Sequence, residues 1–164
     1  MSLKIFDTSA IIAMTCELKD TDPLIHLKNM GYKLIIPYGV YEEITKPDTK
    51  SKVNMLISQE IFEIMNISPN EEEIEEFRTE FPHLHKGETE VLFLGKKLIS
   101  KRKNICCIID ESAGRDSAEE LSLPFHGVLG ILNKLEESEI IDNDTHEGYL
   151  DDLERQGFWF KRNH

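Results

Sequence analysis

Short apolar runs alternate with helical patterns along the chain, and this predicts an α/β domain built on a parallel sheet. Three observations carry that reading. Apolar runs of strand length recur near 3–7, 32–37, 61–67, 105–110 and 123–126. Segments with helical spacing separate them. The run Ile105-Cys106-Cys107-Ile108-Ile109 is apolar throughout, as suits a strand buried in a sheet.

The elements follow in order. Thr8 and Ser9 come after the first strand and suit the cap of a helix through Cys16. Pro23, at a first helical position, starts a helix to about Asn29, and Gly31 ends it. Pro37 breaks the second strand. Val40 to Thr45 reads as a short helix stopping before Pro47, and Lys50 to Ser58 as a further one. Ser68-Pro69-Asn70 with Glu71, Glu72 and Glu73 resembles a capped start, whose buried stripe is Ile74 and Phe77. The acids there read as a solvated face. A longer helix spans about Gly87 to Lys101, with Val91, Leu92, Leu94 and Leu98 toward the core. Ser112 to Leu121, Val128 to Glu136 and Thr145 to Gln156 complete the helices, and Gly157-Phe158-Trp159-Phe160 docks the end of the chain. There is no repeat or linker, so residues 1–164 read as one domain.

Composition narrows the function. The 19 basic against 31 acidic side chains give a net charge of −12, which excludes a strongly electrostatic duplex-DNA binder. A local basic strip, Lys96, Lys97, Lys101, Arg102 and Lys103, is the candidate nucleic-acid contact, against its reading as a solvated helix end. No apolar run approaches the length of a membrane span, and no signal-like start is present. Cys16, Cys106 and Cys107 read as small core residues, the last two on opposite faces of their strand, and a reducing cytoplasm is the expected home.

Four acids stand at separate points where strands or early helical turns can deliver them to one pocket: Asp7, Glu43, Glu88 and Asp110. The carboxyl ends of parallel strands form the crevice where α/β sheets bind ligands. Carboxylates gathered there repel one another unless a cation joins them. The pattern therefore points to a divalent metal and to metal-assisted phosphodiester hydrolysis. Two choices stay open: Glu42 competes with Glu43, and Glu90 with Glu88. Asp110 also suits the cap of the helix after it, and Arg115 an ion pair beside the site or a phosphate contact. His83 and His85 lack a third ligand nearby in sequence, so ordinary surface histidines are favoured over a zinc site; His85 stays as a rim contact.

Several of these segments resemble the PIN-domain family. Asp7-Thr8-Ser9-Ala10-Ile11-Ile12 is similar to its opening, and Pro37-Tyr38-Gly39-Val40-Tyr41-Glu42-Glu43 to its second signature. Lys86-Gly87-Glu88-Thr89-Glu90 and Asp110-Glu111-Ser112-Ala113-Gly114-Arg115 resemble the Gly-Glu and Asp-Asp-x-x-Ala-Arg motifs of one branch. Gly127-Val128-Leu129-Gly130-Ile131-Leu132 and Leu150-Asp151-Asp152-Leu153 with Gly157-Phe158-Trp159 are similar to its later segments.

The resemblance implies a three-layer α/β/α fold with a central parallel sheet of about five strands. It further implies a magnesium- or manganese-dependent ribonuclease acting on single-stranded RNA and leaving a 5′-phosphate, as in toxins of toxin–antitoxin pairs or RNA-processing nucleases. Carried over by position, the catalytic quartet is Asp7, Glu43, Glu88 and Asp110. Asp7 and Asp110 are the expected direct metal ligands, and Glu43 and Glu88 bind mainly through water. Ser9 and Arg115 are the candidate substrate contacts. An antitoxin protein is the implied partner, and many proteins of this fold form homodimers. Three positions depart from the branch pattern: Gly114 stands for Ala, Val128 for Thr and Glu111 for Asp. Two other classes stand against the nuclease. A non-catalytic interaction module of the same fold would lack a metal response. A receiver or phosphotransfer enzyme would need an Asp where Ser9 stands, or a Lys after the last strand.

Overall fold

A computed structural model of the chain describes residues 2–66, 71–158 and 160. Among these residues, five parallel strands form one sheet in the order β3-β2-β1-β4-β5. The strands are β1 Ser2–Phe6, β2 Lys33–Pro37, β3 Phe62–Met65, β4 Asn104–Ile108 and β5 Phe125–His126. All five predicted strands exist; β1 is shifted by one residue at unchanged length, and the other four are shorter than their apolar runs. The proposed cap at Ser68 to Asn70 and the ring of Trp159 lie outside the described residues.

Right-handed crossovers sort the helices into two layers. Moves from β1 toward β3 place α1 Thr8–Ile12, α2 Asp22–Asn29 and α4 Pro47–Ser58 along one side, while the short α3 Tyr38–Glu43 follows β2 directly and packs on the later helix Lys86–Ser100. The return to β4 and β5 carries α5 Glu71–Glu80, α6 Lys86–Ser100 and α7 Ser112–Glu120 over the other face. Helices α8 Val128–Glu137 and α9 Asn143–Arg155 come back to the first layer, where α8 packs on α2. The arrangement is the three-layer α/β/α fold expected. Among the described residues, no helix is long and apolar enough to cross a membrane.

The core fills both interlayers. Ile5, Phe6, Ile35, Ile36, Cys107, Ile108 and Ile109 are fully enclosed. Cys106 faces Lys4 and Lys134, whereas Cys107 Sγ lies under Gly95 of α6, so the two thiols take opposite faces. From Gly87 to Gly95, α6 is buried on all sides, far beyond the single stripe its spacing predicts. It is pinned between the sheet, α3, α5 and α7. The helix predicted from Thr8 to Cys16 instead ends at Ile12 and continues as a π-helical turn, Ala13–Glu17.

Strand β1 sits where the strand order reverses, with β2 on one side and β4 on the other. Residues just past β1 and β4 therefore meet at the topological switch point of the sheet.

Candidate metal centre

Asp7 and Asp110 occupy that switch point. The Asp7 backbone N–H donates to Ile108 O at 3.1 Å, which extends the β1–β4 ladder to the very residue that carries the acid. Asp7 is buried, at 1% exposure, and its Oδ1 accepts the Ala10 N–H at 2.9 Å. It is thus the N-cap of α1, a role the sequence suggested for Thr8 or Ser9. Those hydroxyls serve elsewhere: Thr8 Oγ1 donates to Glu43 Oε2 at 2.8 Å, and Ser9 Oγ to Glu111 Oε1 at 2.9 Å. Asp110 does not cap the helix that follows it. Its Oδ1 accepts the Val128 N–H at 3.0 Å and so caps α8, while Oδ2 is buried without a hydrogen-bond partner.

Helix α6 delivers the third acid. Glu88 is 6% exposed and stands at the third position of α6, whose N-cap is His85. Its Oε2 is also buried without a partner. Ligand atoms of His85, Glu88 and Glu111 lie within 4.8 Å of one another. Glu90, two residues on, points away from this cluster. Its Oε1 accepts the Gly39 N–H at 3.0 Å, at the start of α3.

Glu43 closes α3 and reaches between two helix starts. Its Oε1 accepts the Gly87 N–H at 2.6 Å, and Oε2 the Thr8 hydroxyl. Its neighbour Glu42 is an exposed residue paired with Lys86 at 3.2 Å. Of the two open choices, Glu43 and Glu88 face inward, while Glu42 and Glu90 serve other contacts.

Electrostatics tie the acids together. Burial foremost, opposed by the Ala10 N–H and reinforced by Asp110, Glu111 and Glu88, pushes the Asp7 carboxyl up to about 7. Burial and then Glu111 raise Glu88. Asp110 is raised by burial, with the Val128 N–H and Arg115 holding it back. Glu17, at the end of the π-helical turn, is raised by burial and then by Asp110, and its Oε2 is the third buried oxygen without a partner. Carboxylates in mutual range with unsatisfied buried oxygens are the donor set of a hard divalent cation. The residues present fit a metal.

The predicted substrate contacts lie at the rim. Arg115 Nε donates to Ile109 O at 2.9 Å, and its guanidinium stands 3.6 Å from Asp110 with the side chain 40% exposed. The basic strip is elsewhere. It follows the carboxyl end of α6, where Arg102 and Lys103 line a hollow with Leu3, Lys33 and Asn104 at the amino edge of the sheet. The length of β4 separates that edge from Asp110 by roughly 20 Å. Lys97 is paired with Glu73 at 2.9 Å. Sequence reasoning missed Glu17, because a π turn shifts the helical register, and it left His85 as a rim contact and Glu111 as a departure from the branch pattern without seeing that they meet. His83 does not join His85; its Nε2 lies 3.3 Å from Ser117 Oγ.

Residues 3–164 match the family model DUF3368, whose description is a PIN domain. No curated protein matches the chain.

Proposed function

Because the chain belongs to the PIN-domain family, we propose that it is a divalent-metal-dependent ribonuclease that hydrolyses phosphodiester bonds of single-stranded RNA. PIN domains are generally nucleases that use divalent metals. The observation that carries this reading is the meeting of Asp7, Glu88 and Asp110 at one end of the sheet, with buried carboxylate oxygens that no protein donor reaches.

Asp7 and Asp110 are the residues that would hold Mg²⁺ or Mn²⁺, with Glu88 beside them. A bound ion of this class activates water as a nucleophile and stabilises charge on the leaving oxygen. Asp110 commits Oδ1 to the Val128 N–H and keeps Oδ2 for the ion. Asp7 is fixed in the same way by the Ala10 N–H. Glu43 spends both oxygens on Thr8 and Gly87, so it acts as a positioning residue that holds the starts of α1 and α6 together. Ser9 orients Glu111, and Arg115 offers a phosphate contact at the rim.

The finer assignment is the toxin of a toxin–antitoxin pair in the cytoplasm. The net charge of −12 supports it by favouring a partner with a basic segment. The test pairs wild type with Asp7→Asn on a labelled single-stranded RNA, with and without Mn²⁺. Cleavage by the wild type with metal alone is expected. Equal cleavage by both proteins removes the enzyme reading. Absence of both cleavage and metal-induced stabilisation leaves the non-catalytic interaction module.

A further inference from the structure

We propose that His126, Lys134 and Lys4 form a phosphate-binding path that leads the RNA strand away from Asp110, past Arg115 and down the flank of α8. It rests on the nuclease reading for the identity of the strand. The observation that carries it is a buried cation that no acid answers. Lys4 is 3% exposed, in the middle of β1. Among the described residues, its ammonium enters no hydrogen bond or ion pair. Lys4 Nζ lies 4.2 Å from the centre of the Tyr32 ring, and Lys134 Nζ lies 5.1 Å from the same centre. One ring therefore serves two ammonium groups, and a ring quadrupole attracts a cation without neutralising it. Burial foremost pushes the Lys4 ammonium down; Cys106 and Tyr32 oppose this and Lys134 adds to it. None of these neighbours is a carboxylate, so the missing counter-charge is an anion.

The sheet leaves that anion a way in. Lys4 pairs with Cys106, Phe6 with Ile108, and Ile108 with His126. Alternation along the strands puts Lys4, Cys106 and His126 on one face. Strand β5 has only two residues and covers only Cys107 and Ile108, so among the described residues Asn104 to Cys106 have no outer strand. Lys4 Nζ has no partner and is not among the sealed atoms, so it opens to solvent at this gap.

Helix α8 sets the steps of the path. A Cβ on Gly127 would collide with Arg115 Nη2, and one on Gly130 would lie 3.3 Å from His126 Cβ. Lys134 follows one turn later and is exposed. These positions recur once per turn, about 5.4 Å apart, a stride that successive phosphates can follow. Burial, and then Lys4, Lys134 and Arg115, lower His126, so the three cations act on one neighbourhood. Lys4 precedes Asp7 by roughly 10 Å of extended backbone, which keeps the path within reach of the acids. In a chain of net charge −12, a polyanion is held where cations are gathered.

The experiment measures binding of a fluorescein-labelled single-stranded oligouridylate by the full chain in EDTA, over a range of salt concentrations. Each phosphate contact on a single strand contributes about 0.7 to the slope of log affinity against log salt. Lys134→Gln should lower that slope by about 0.7, and Lys134→Gln with Lys4→Met by about 1.4. Lys103→Gln removes the same charge from the hollow at the amino edge and should leave the slope unchanged. An oligoadenylate should show the same losses, because phosphate contacts carry no base preference. Lys4→Met keeps the apolar stem and removes an unanswered buried charge, so it should raise the Tm, and weaker binding then cannot come from unfolding. No salt-dependent binding by the wild type, a slope that the double variant leaves unmoved, or an equal fall in Lys103→Gln overturns the path. Metal-dependent cleavage by the wild type beside such a result leaves the nuclease reading standing. The expected slopes without any cleavage in Mg²⁺ or Mn²⁺ overturn the nuclease reading alone.

Discussion

Replacing Asp7 by Asn should stabilise the metal-free protein at neutral and alkaline pH. The substitution keeps the side-chain size and the Oδ1 that accepts the Ala10 N–H, and it removes only the charge. In the folded chain the Asp7 carboxyl is raised from 3.8 to about 7, first by burial and then by its acidic neighbours. A raised carboxyl pKa means that the folded state holds the proton more tightly than the unfolded state does. The stability from that proton is complete below the unfolded pKa and is lost as pH rises through the folded value. The full span is worth about 4 kcal/mol as a ceiling. Half of it, about 2 kcal/mol, corresponds to a Tm difference of about 4–8 °C in a domain of this size. In EDTA at pH 8, Asp7→Asn should therefore melt several degrees above wild type, and the gap should close near pH 4. Mn²⁺ should reverse the order by stabilising only the wild type. A variant that melts at or below wild type at pH 8, or a gap that ignores pH, would refute the account of a site strained by its own charge.

Two further substitutions separate holding from positioning. Glu43→Ala should cost about 1–3 kcal/mol in urea denaturation, since the partly buried Gly87 N–H loses its acceptor. Glu43→Gln should cost less than about 1 kcal/mol, because the Thr8 hydroxyl can turn to accept from the new amide. If Glu43 is a positioning residue, the Gln variant keeps most of the Mn²⁺-induced thermal shift; a direct ligand would lose it. Gly114→Ala should gain about 1 kcal/mol of helix propensity yet melt lower. Its methyl would stand 2.8 Å from both Glu88 Oε2 and Ile109 Cγ2, so displacement of Glu88 should also shrink the Mn²⁺-induced shift.

The fold was legible because strand and helix periods are local. Asp7 and Asp110 were legible because each follows an apolar run, and the parallel sheet brings those run ends to one crevice. Glu88 and Glu90 illustrate where sequence stops. Two residues apart on a helix, they project from nearly opposite sides, and only the packing of α6 against α3 decides which meets the site. Glu17 had no local signal, since the π turn breaks the spacing that would aim it. The encounter of His85 with Glu111 spans helices separated by a strand, a distance that no periodicity reports. The basic strip fails for a topological reason. A crossover helix runs antiparallel to its strands, so its last turn lies at the amino edge, away from acids gathered at the carboxyl edge.

The deeper regularity is how a chain of net charge −12 tolerates so many buried acids in one place. Four of them pair with the start of a helix: Asp7 with α1, Glu90 with α3, Glu43 with α6 and Asp110 with α8. Helix starts carry unsatisfied N–H groups and the positive end of the dipole, so they partly replace lost water. The approach is close enough to dictate glycine. A Cβ on Gly39 would overlap Glu90 Oε2, one on Gly87 would lie 2.8 Å from Glu43 Oε2, and one on Gly127 would collide with Asp110 Oδ1. The glycines that read in sequence as motif letters are thus the space through which carboxylates reach backbone N–H groups. That supply does not extend to Glu17 Oε2, Glu88 Oε2 or Asp110 Oδ2, which no helix start satisfies. The divalent cation proposed for this site would supply positive charge to those oxygens in a small volume.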